Sequence, residues 1–530
     1  MSASEPRASH SLGVVTDGGF AAGLTVRLHD AHAETLQVGS FVVVDGDRNR
    51  YFSLVADLQL RVTDPNVASD PPVSSPLLRA ALQGIHTYVA AEIRPSLVIE
   101  DVEGDKPSAP RPARTVPSHF SVMRQADEAD FEQVFGKEGG TKFGLGQPIA
   151  MDGVSITIDL ERLVERPSGV FGQTGTGKSV LTRLLLYGVL TSDVANALIF
   201  DMHSEYALER SDRPGIPGLV DLFNHDKVRV FSLDHRASNG TTLKIGMNQI
   251  DPEDIALLSE ELGLPQTYDG TSLLLQRAFR EEWLSQLLRL SGDTLREFVE
   301  NHGAHEGAVT GLQRRLRFLQ QAEYVQEHQS DSQIEEIVEL LRKGKSVVVQ
   351  FGRYDGFRDY MLVTNLLTRR IHEKYRDAAE HRTGKERGLV IVLEEAHKFL
   401  SPQVARQSIF GTIAREMRKF GVTLLIVDQR PSQIDSEVLS QVATRISGLV
   451  TNDDDISAIV SGASDRNALR SMLASLDQTQ QCLVLGHAIP MPMIVRTREY
   501  SRALIADPEV DKRKQDGMAL IRGLRPERNR

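Results

Sequence analysis

The octapeptide GQTGTGKS at residues 172–179 is the segment whose residue types and spacing most directly indicate chemistry. It satisfies G-x-x-x-x-G-K-[ST] at every position, follows the apolar run 169–171 and precedes the helical run 180–186. In that context the glycines let backbone N–H groups curl around a phosphate, and the helix N-terminus adds partial positive charge. Lys178 is expected to reach the β- and γ-phosphate oxygens, and Ser179 Oγ to ligate Mg²⁺. The predicted nucleotide-binding residues are Gly172, Thr174, Gly175, Thr176, Gly177, Lys178 and Ser179.

A second segment, LVIVLEEAH at residues 389–397, brings two adjacent carboxylates to the end of a predicted strand. Ligands bind at the carboxyl ends of the strands in open α/β sheets, so both carboxylates are expected to face the phosphates. Glu394 stands where a Walker B motif usually has Asp, and we expect it to hold Mg²⁺ through water. Glu395 is expected to activate the water that attacks the γ-phosphate, because that role needs a carboxylate close by.

Polar residues also follow two further predicted strands. Gln429 comes just after the strand at 422–427, where an amide can orient the attacking water or sense the γ-phosphate. A capped polar loop is the alternative for Gln429. Asp201 and Glu205 follow the strand at 197–200 and could support the metal ligands, with a turn and helix cap as the alternative.

The elements that must position these residues are strands alternating with amphipathic helices from about residue 120. This pattern is typical of an α/β fold with a mostly parallel sheet and helices on both faces. Between the third and fourth strands, helical spacing predicts a helical insertion in which Trp283 is a core residue. The first hundred residues differ, because their short β-branched runs broken by Gly and Asp indicate a small barrel or sandwich. The predicted strands are residues 168–171, 197–200, 228–231, 346–351, 389–393, 422–427 and 481–485.

Composition limits the class of protein. The 530 residues carry 72 acidic and 61 basic side chains, a net charge of −11, which excludes a uniformly basic nucleic-acid-coating protein but not a local basic pore. The single cysteine, Cys482, excludes an intramolecular disulfide framework and is expected to be a buried small hydrophobe. No zinc is expected, since the histidines share no metal-ligand spacing. With no apolar leader and no apolar stretch of about 18 residues, the sequence predicts a soluble, cytoplasmic protein without membrane contact.

Taken together, the motifs resemble the HerA family of hexameric DNA translocases, which is related to FtsK. Besides the phosphate loop and the EEAH strand end, the resemblance covers the segments DMHSEY (201–206), IAREMRKFG (413–421), QRPS (429–432), VLSQ (438–441) and LVTN (449–452). It implies a RecA-like P-loop ATPase core with an N-terminal β-barrel and a helical bundle insertion. The corresponding domains are residues 1–117 for the barrel, 118–235 and 345–500 for the core, 236–344 for the insertion and 501–530 for a basic tail.

The resemblance further implies a homohexamer with ATP at the subunit interfaces and sequence-independent contact with duplex DNA. A ring ATPase needs a cation from the neighbouring subunit, and the matching basic run favours Arg415 as this arginine finger, followed by Arg418 on the same predicted helix. The alternative is that each pairs on the surface with Glu416 or Glu373. Lys142 is a weaker candidate for the nucleotide. Candidate DNA contacts are the loop 352–358, for which a connection remote from the DNA is the alternative, and the basic helix 314–317.

Two hypotheses of function follow. In the first, ATP hydrolysis drives duplex DNA through the ring and feeds a partner, either a NurA-like nuclease in end processing or a sirtuin-like or nuclease effector in antiphage defence. In the second, the hexamer is a scaffold that activates an effector, with ATP turnover as a switch. A P-loop kinase for a small molecule would leave the barrel, Gln429 and the basic helix unexplained.

Overall fold

The computed structural model describes residues 11–29, 34–69, 75–82, 85–100, 108–149, 151–236, 240–329, 333–380, 388–405, 408–463 and 465–506. The described residues form two compact units. The first unit comprises the described residues within Met1–Leu163, Val170–Lys178 and Ala443–Glu499. The second comprises those within Val164–Gly169, Ser179–Val442 and Tyr500–Arg530. Most of the predicted basic tail at 501–530, from residue 507 onward, lies outside the described residues.

The first unit contains a closed six-stranded antiparallel barrel. Its strands run in the order β2-β1-β7-β3-β4-β5, and β5 pairs back with β2, while β6 adds beside β5. Fully buried apolar side chains such as Val26, Val42 and Ile93 fill its interior. The predicted N-terminal barrel is therefore confirmed. Its strands are β1 (Ser11–Gly19), β2 (Gly23–Leu28), β3 (Phe41–Asp45), β4 (Asn49–Val62), β5 (Thr87–Glu100), β6 (Arg111–Pro112) and β7 (Val122–Gln125), with helices α1 (Pro65–Ser69) and α2 (Pro76–Leu82) between β4 and β5.

Two of these strands lie in segments whose residue pattern did not predict a strand. β7 follows residue 117, the predicted end of the barrel domain, and pairs with both β1 and β3. β6 lies in a proline-rich segment near the predicted end of the barrel domain, and it pairs with β5. Strands of two and four residues contain too few alternating apolar positions for a period of two to mark them. Met123 is nevertheless fully buried, which shows that β7 contributes to the barrel core.

The first unit also contains a run of strands in the order β10-β19-β20-β21-β8-β9. The pairs from β19 to β9 are antiparallel, a departure from the mostly parallel sheet that the sequence predicts. Of these strands, only β10 and β20 were predicted. The strands are β8 (Lys142–Pro148), β9 (Ile156–Asp159), β10 (Ser168–Phe171), β19 (Thr444–Ser447), β20 (Gln481–Gly486) and β21 (Met493–Thr497), accompanied by helices α3 (Glu128–Phe135), α4 (Leu160–Glu165), α19 (Asp453–Ile459) and α20 (Arg466–Ala474).

The second unit has parallel strands in the order β13-β12-β16-β11-β17-β18. Every residue of β11, β17 and β18 is buried, so both faces of the sheet are covered. The five strands predicted for this region are all present. The strands are β11 (Asn196–Asp201), β12 (Val228–Ser232), β13 (Thr241–Thr242), β16 (Ser346–Gln350), β17 (Leu389–Glu394) and β18 (Val422–Asp428), and the helices outside the insertion are α5 (Lys178–Thr191), α6 (Leu219–Lys227), α15 (Phe357–Glu380), α16 (His397–Leu400), α17 (Ile409–Glu416), α18 (Ser436–Gln441) and α21 (Ala503–Ala506).

The segment between β13 and β16 is mostly helical, as predicted. Trp283 is buried there, and its Nε1 donates a hydrogen bond of 2.8 Å to the Ile250 carbonyl, which confirms it as a core residue. Within the described parts of the chain, no helix has the length and apolar character needed to span a membrane. The helices are α7 (Pro252–Ala256), α8 (Ser259–Leu262), α9 (Tyr268–Phe279), α10 (Trp283–Arg289), α11 (Gly292–His302), α12 (Glu306–Leu316), α13 (Phe318–Gln321) and α14 (Gln333–Arg342), with the short strand pair β14 (Ile245–Gly246) and β15 (Val325–Gln326).

Cys482 lies in β20 and is 1% exposed. Burial raises the pKa of its thiol to about 12, so the side chain is protonated and apolar at neutral pH. The prediction of a buried small hydrophobe is confirmed.

Candidate active site

The glycine-rich segment is a turn between β10 and α5, which is the strand, loop and helix context that the motif requires. Gly175 and Gly177 have φ values of 86° and 84°, in the left-handed region that side chains with a Cβ rarely adopt. Nothing lies within 4 Å of a Cβ built on either residue, so backbone conformation and not crowding is what requires glycine there. The turn thus has the backbone conformation that a phosphate loop needs.

The turn is held together by the carbonyl oxygen of Gln173. Thr176 Oγ1 donates to this oxygen at 2.8 Å, and Lys178 Nζ donates to it at 2.9 Å. These bonds keep the ammonium group of Lys178 over the turn. The predicted cation and the backbone that should cradle the phosphates therefore lie together in the first unit.

The residues that follow β19 brace this turn, a contact that the sequence motifs did not assign. The backbone N–H of Gly448 donates to the Phe171 carbonyl at 2.9 Å, and that of Gln173 donates to the Leu449 carbonyl at 3.1 Å. The Gln173 side-chain amide also donates to Thr451 Oγ1. The LVTN segment was part of the family resemblance, but only the tertiary structure shows that it contacts the phosphate loop.

Glu394 is the last residue of β17, and its carboxyl group is buried in the second unit. Tyr206 Oη donates to Glu394 Oε1 at 2.8 Å, whereas Oε2 has no hydrogen-bond partner within the described part of the chain. Burial, followed by the charges of Asp201, Glu205 and Glu395, raises the pKa of Glu394 to about 8. A buried carboxylate oxygen without a donor, surrounded by other carboxylates, suits a hard divalent cation such as Mg²⁺.

Asp201 forms the turn that brings Tyr206 to Glu394. Its buried carboxylate accepts hydrogen bonds from the backbone N–H groups of Glu205 at 2.7 Å and Tyr206 at 3.1 Å, and from Gln350 Nε2 at 3.3 Å. Burial raises the pKa of Asp201. The alternative of a turn cap therefore describes Asp201, and through Tyr206 the same turn also supports the buried Glu394 carboxyl.

Glu395 adopts a left-handed backbone conformation with φ of 47°, which is uncommon for a residue other than glycine. Such strain, of order 1–3 kcal/mol, persists only where surrounding contacts hold it, and it clusters at active sites. The Glu395 side chain is 34% exposed, and Gln429 Nε2 lies 3.5 Å from its Oε2. The structure thus brings the predicted base and the predicted amide together at the ends of β17 and β18.

Two residues beside this pair were not predicted. His397 Nδ1 lies 3.0 Å from Asp428 Oδ2 and 3.7 Å from Glu395 Oε2. The sequence motifs assigned no chemical role to either residue. No local sequence pattern singles them out, because their contact depends on the adjacency of β17 and β18 in the sheet.

Arg415 lies in the last turn of α17 and is half-buried. Within the part of the chain that the structure describes, its guanidinium makes no hydrogen bond or ion pair. The alternative partner Glu373 pairs instead with Arg369 at 3.3 Å and Arg370 at 3.2 Å. The structure therefore does not support the surface pair between Arg415 and Glu373.

Arg418 does not share a helix with Arg415, contrary to the sequence prediction. α17 ends at Glu416, and Met417–Phe420 forms a 3₁₀ turn before Gly421. The Arg418 side chain lies outside the described part of the structure.

Two other basic candidates are already paired. Lys142, the weaker candidate for the nucleotide, forms an ion pair of 3.0 Å with Asp159. Arg353, in the loop considered for DNA contact, pairs with Glu323 and lies 3.8 Å from Asp234. Carboxylates therefore offset the charge that each of these residues would offer to a phosphate.

The basic helix of the insertion is only partly available to DNA. Arg315 Nε donates to the carbonyl groups of Gly263 at 2.8 Å and Leu262 at 3.1 Å, so its guanidinium caps the end of α8. Arg314 and Arg317 are exposed. These two remain the surface cations of that helix that could contact a phosphate backbone.

Replacing Tyr206 with Phe is expected to weaken Mg²⁺ binding, because Glu394 Oε1 would lose its buried hydrogen-bond donor. Residues that orient a metal ligand typically contribute about 10–100-fold to metal affinity. The measurement is the Mg²⁺ concentration that half-saturates ATP hydrolysis. Tyr360→Phe is the matched control, since Tyr360 Oη donates to the Glu394 backbone carbonyl at 3.1 Å and not to its carboxyl group. An equal shift in both variants would contradict a specific role for Tyr206.

The glycine-rich turn after β10, the Lys178 cation and the carboxylates that end a parallel strand define a P-loop ATPase. Residues 143–371 match the family described as "Helicase HerA, central domain". This region is similar to the HerA helicase family, and the resemblance predicted from the motifs is confirmed.

Relatives extend the similarity beyond this region. The DNA double-strand break repair helicase HerA of Pyrococcus furiosus is 24% identical over 458 residues, covering 79% of each chain. The protein of that name from Sulfolobus acidocaldarius is 24% identical over 485 residues, covering 90% of this chain and 92% of the relative. Among solved structures, VirB4 of Thermoanaerobacter pseudethanolicus is similar at 13% identity with a TM-score of 0.47, covering 69% of this chain and 98% of that chain.

Proposed function

We propose that this protein is a ring-forming ATPase that uses ATP hydrolysis to move DNA. The observation that carries the proposal is the geometry of Glu395, whose strained backbone and neighbouring Gln429 resemble a base held ready for an attacking water. A binding module that only retained nucleotide would not need a carboxylate held in that conformation. The similarity to HerA relatives named as DNA double-strand break repair helicases supports DNA as the substrate of the motor.

The nucleotide is ATP with Mg²⁺. Lys178 binds the β- and γ-phosphates, Ser179 and Glu394 hold the metal, and Gln429 orients the water that Glu395 deprotonates. Bound Mg²⁺ offsets the charge of the phosphate oxygens. The unpartnered buried oxygen of Glu394 supports this metal assignment.

The assembly is a homohexamer in which each site is completed by a neighbour. Arg415 supports this proposal, because its half-buried guanidinium has no partner within the described residues. An arginine supplied by an adjacent subunit neutralises charge that develops on the transferred phosphoryl group. Arg418 is the second candidate for the same role.

Contact with DNA is made to the phosphate backbone without reading sequence, and duplex DNA is the expected substrate. The partner is an enzyme that acts on the translocated DNA or is activated by the ring. It is either a NurA-like nuclease or an effector of the sirtuin-like or nuclease type. The N-terminal barrel is the proposed docking surface for this partner. The setting is the cytoplasm, in DNA end processing or antiphage defence.

The test measures ATP hydrolysis with and without linear duplex DNA, followed by displacement of streptavidin from biotinylated duplex ends. We expect DNA to stimulate hydrolysis and ATP to drive displacement, and we expect Lys178→Ala to abolish both, because the phosphates lose their cation. Activation of a nuclease partner that survives Lys178→Ala would instead favour the scaffold. Hydrolysis in Lys178→Ala at the wild-type rate would remove the P-loop assignment.

A further inference from the structure

His397 and Asp428 form a couple that lies directly beside the proposed base. β17 and β18 are parallel neighbours in the register Glu394↔Val427, and Glu395 and Asp428 are the residues that directly follow this pair along the chain. His397 begins α16 two residues after Glu395. The couple therefore joins the turn after β17 to the end of β18.

Asp428 is 1% exposed, and its carboxylate is fully engaged. Oδ2 accepts the backbone N–H of His397 at 2.6 Å, and Oδ1 accepts that of Arg430 at 2.7 Å. The third donor is the His397 ring, whose Nδ1 lies 3.0 Å from Oδ2 and 3.1 Å from Oδ1. Within the described ranges, no lysine or arginine side chain pairs with Asp428, so the His397 ring is its side-chain partner.

The direction of the ring hydrogen bond follows from the chemistry of the acceptor. A carboxylate only accepts hydrogen bonds, so Nδ1 of His397 carries the hydrogen. His397 thus donates to one carboxylate twice, from its backbone and from its ring. Two bonds from a single residue restrict both the position and the rotation of the turn that contains Glu395.

The restricted turn helps to hold Glu395 in its strained backbone conformation. A left-handed non-glycine residue relaxes unless its surroundings hold it. The Glu395 carbonyl accepts the Lys398 N–H at 2.9 Å, and its side-chain Oε2 lies 3.7 Å from His397 Nδ1 and 3.5 Å from Gln429 Nε2. Two of these neighbours, His397 and Lys398, belong to the turn that Asp428 anchors, and the third, Gln429, directly follows Asp428.

We propose that His397 is a positioning residue for hydrolysis: by binding Asp428, it holds the turn that aims the Glu395 carboxylate beside Gln429. The inference rests on the proposed function, because it assigns His397 a part in the ATP hydrolysis that Glu395 carries out. His397 is not a catalytic residue, since it acts through the placement of Glu395. Replacing His397 should therefore lower the rate of hydrolysis and leave the binding of nucleotide unchanged.

The test compares His397→Asn with His397→Gln, two amides that differ in where the N–H lies. The Asn Nδ2 is attached to Cγ as Nδ1 is in histidine, so it can donate to Asp428, whereas the Gln amide lies one carbon further, near the position of Nε2. We expect His397→Gln to lower kcat by about tenfold or more, because misplacing a reacting group by about 1 Å can cost up to a hundredfold. The KM for ATP should change by less than about twofold, as for a group that acts only in the chemical step. We expect His397→Asn to recover most of kcat.

Asp428→Asn provides the second measurement, because an amide in place of the carboxylate cannot accept from all three donors. If His397 and Asp428 act as a unit, the double variant His397→Gln/Asp428→Asn should be no slower than the slower single variant. Melting temperatures of all variants are measured alongside. If His397→Gln does not fold, Asp428→Asn tests the same couple by its kcat and KM.

Three results would overturn the inference: equal losses in the Asn and Gln variants, a loss expressed in KM with kcat unchanged, or additive losses in the double variant. Each is interpreted against a wild-type enzyme whose hydrolysis depends on Lys178. Absence of such hydrolysis in the wild type would instead overturn the proposed function, and this inference with it.

Discussion

Replacing Arg415 with Ala is expected to slow ATP hydrolysis by about 10³–10⁵-fold, the range for the loss of an arginine finger. The protein should still assemble and bind nucleotide, because the P-loop lies in different elements from α17. The measurements are the steady-state ATPase rate, nucleotide affinity and the mass of the assembly. Lys419→Ala is the matched control, since Lys419 is an exposed cation of the same basic run and its Nζ lies over the Phe420 ring.

Mixed assemblies decide whether Arg415 acts between subunits. Rings that combine Arg415→Ala with Lys178→Ala subunits contain some interfaces that pair an intact P-loop with an intact finger. Such rings should regain hydrolysis that neither variant has alone. No recovery in rings shown to be mixed would mean that Arg415 acts within its own subunit or that turnover requires every site. Full activity of Arg415→Ala alone would place the finger elsewhere, and Arg418 would be tested next.

Replacing Glu395 with Gln is expected to leave ATP binding intact and to slow hydrolysis by at least about a hundredfold, as for the loss of a general base. Gln has nearly the same shape and can occupy the same left-handed turn, but it cannot accept the proton of the attacking water. Single-turnover hydrolysis and the affinity for ATP measure the two effects separately.

Glu394→Gln is the informative comparison, because that residue is the proposed metal ligand. Its variant should need more Mg²⁺ for half-saturation, whereas Glu395→Gln should keep the Mg²⁺ dependence of the wild type. If Glu395→Gln loses nucleotide binding and Glu394→Gln retains it, the roles of the two carboxylates are reversed.

The amino-acid sequence by itself determined the phosphate loop and most of the parallel strands. The loop is recognisable because its residues are contiguous and its glycines are needed for local backbone reasons, as at Gly175 and Gly177. The buried strands of the second unit are continuous apolar runs, since both of their faces are covered. Glu394 and Glu395 were located because they end one of these runs.

Local pattern was too weak for the shorter elements. β7 has only four residues, of which the inner two are buried and the outer two exposed, so its place in the barrel depends on pairing with β1 and β3 and not on an alternating pattern of its own. The helix that carries Arg415 ends at Glu416, although the basic run continues to Lys419. The run of basic residues therefore predicted one continuous α-helix, whereas a 3₁₀ turn at Met417–Phe420 follows α17.

Only the tertiary structure decided which side chains support the carboxylates. Tyr206 and Glu394 are 188 positions apart, and His397 and Asp428 are 31 positions apart. These contacts exist because β11, β17 and β18 are neighbours in one parallel sheet, so that their carboxyl ends lie at the same edge. The order of strands in a sheet is set by packing between distant segments, and no local pattern in this chain specifies it. The local sequence therefore identifies the reacting groups. The side chains that hold them in place are recognisable only in the folded structure, because they come from segments that are distant in the sequence.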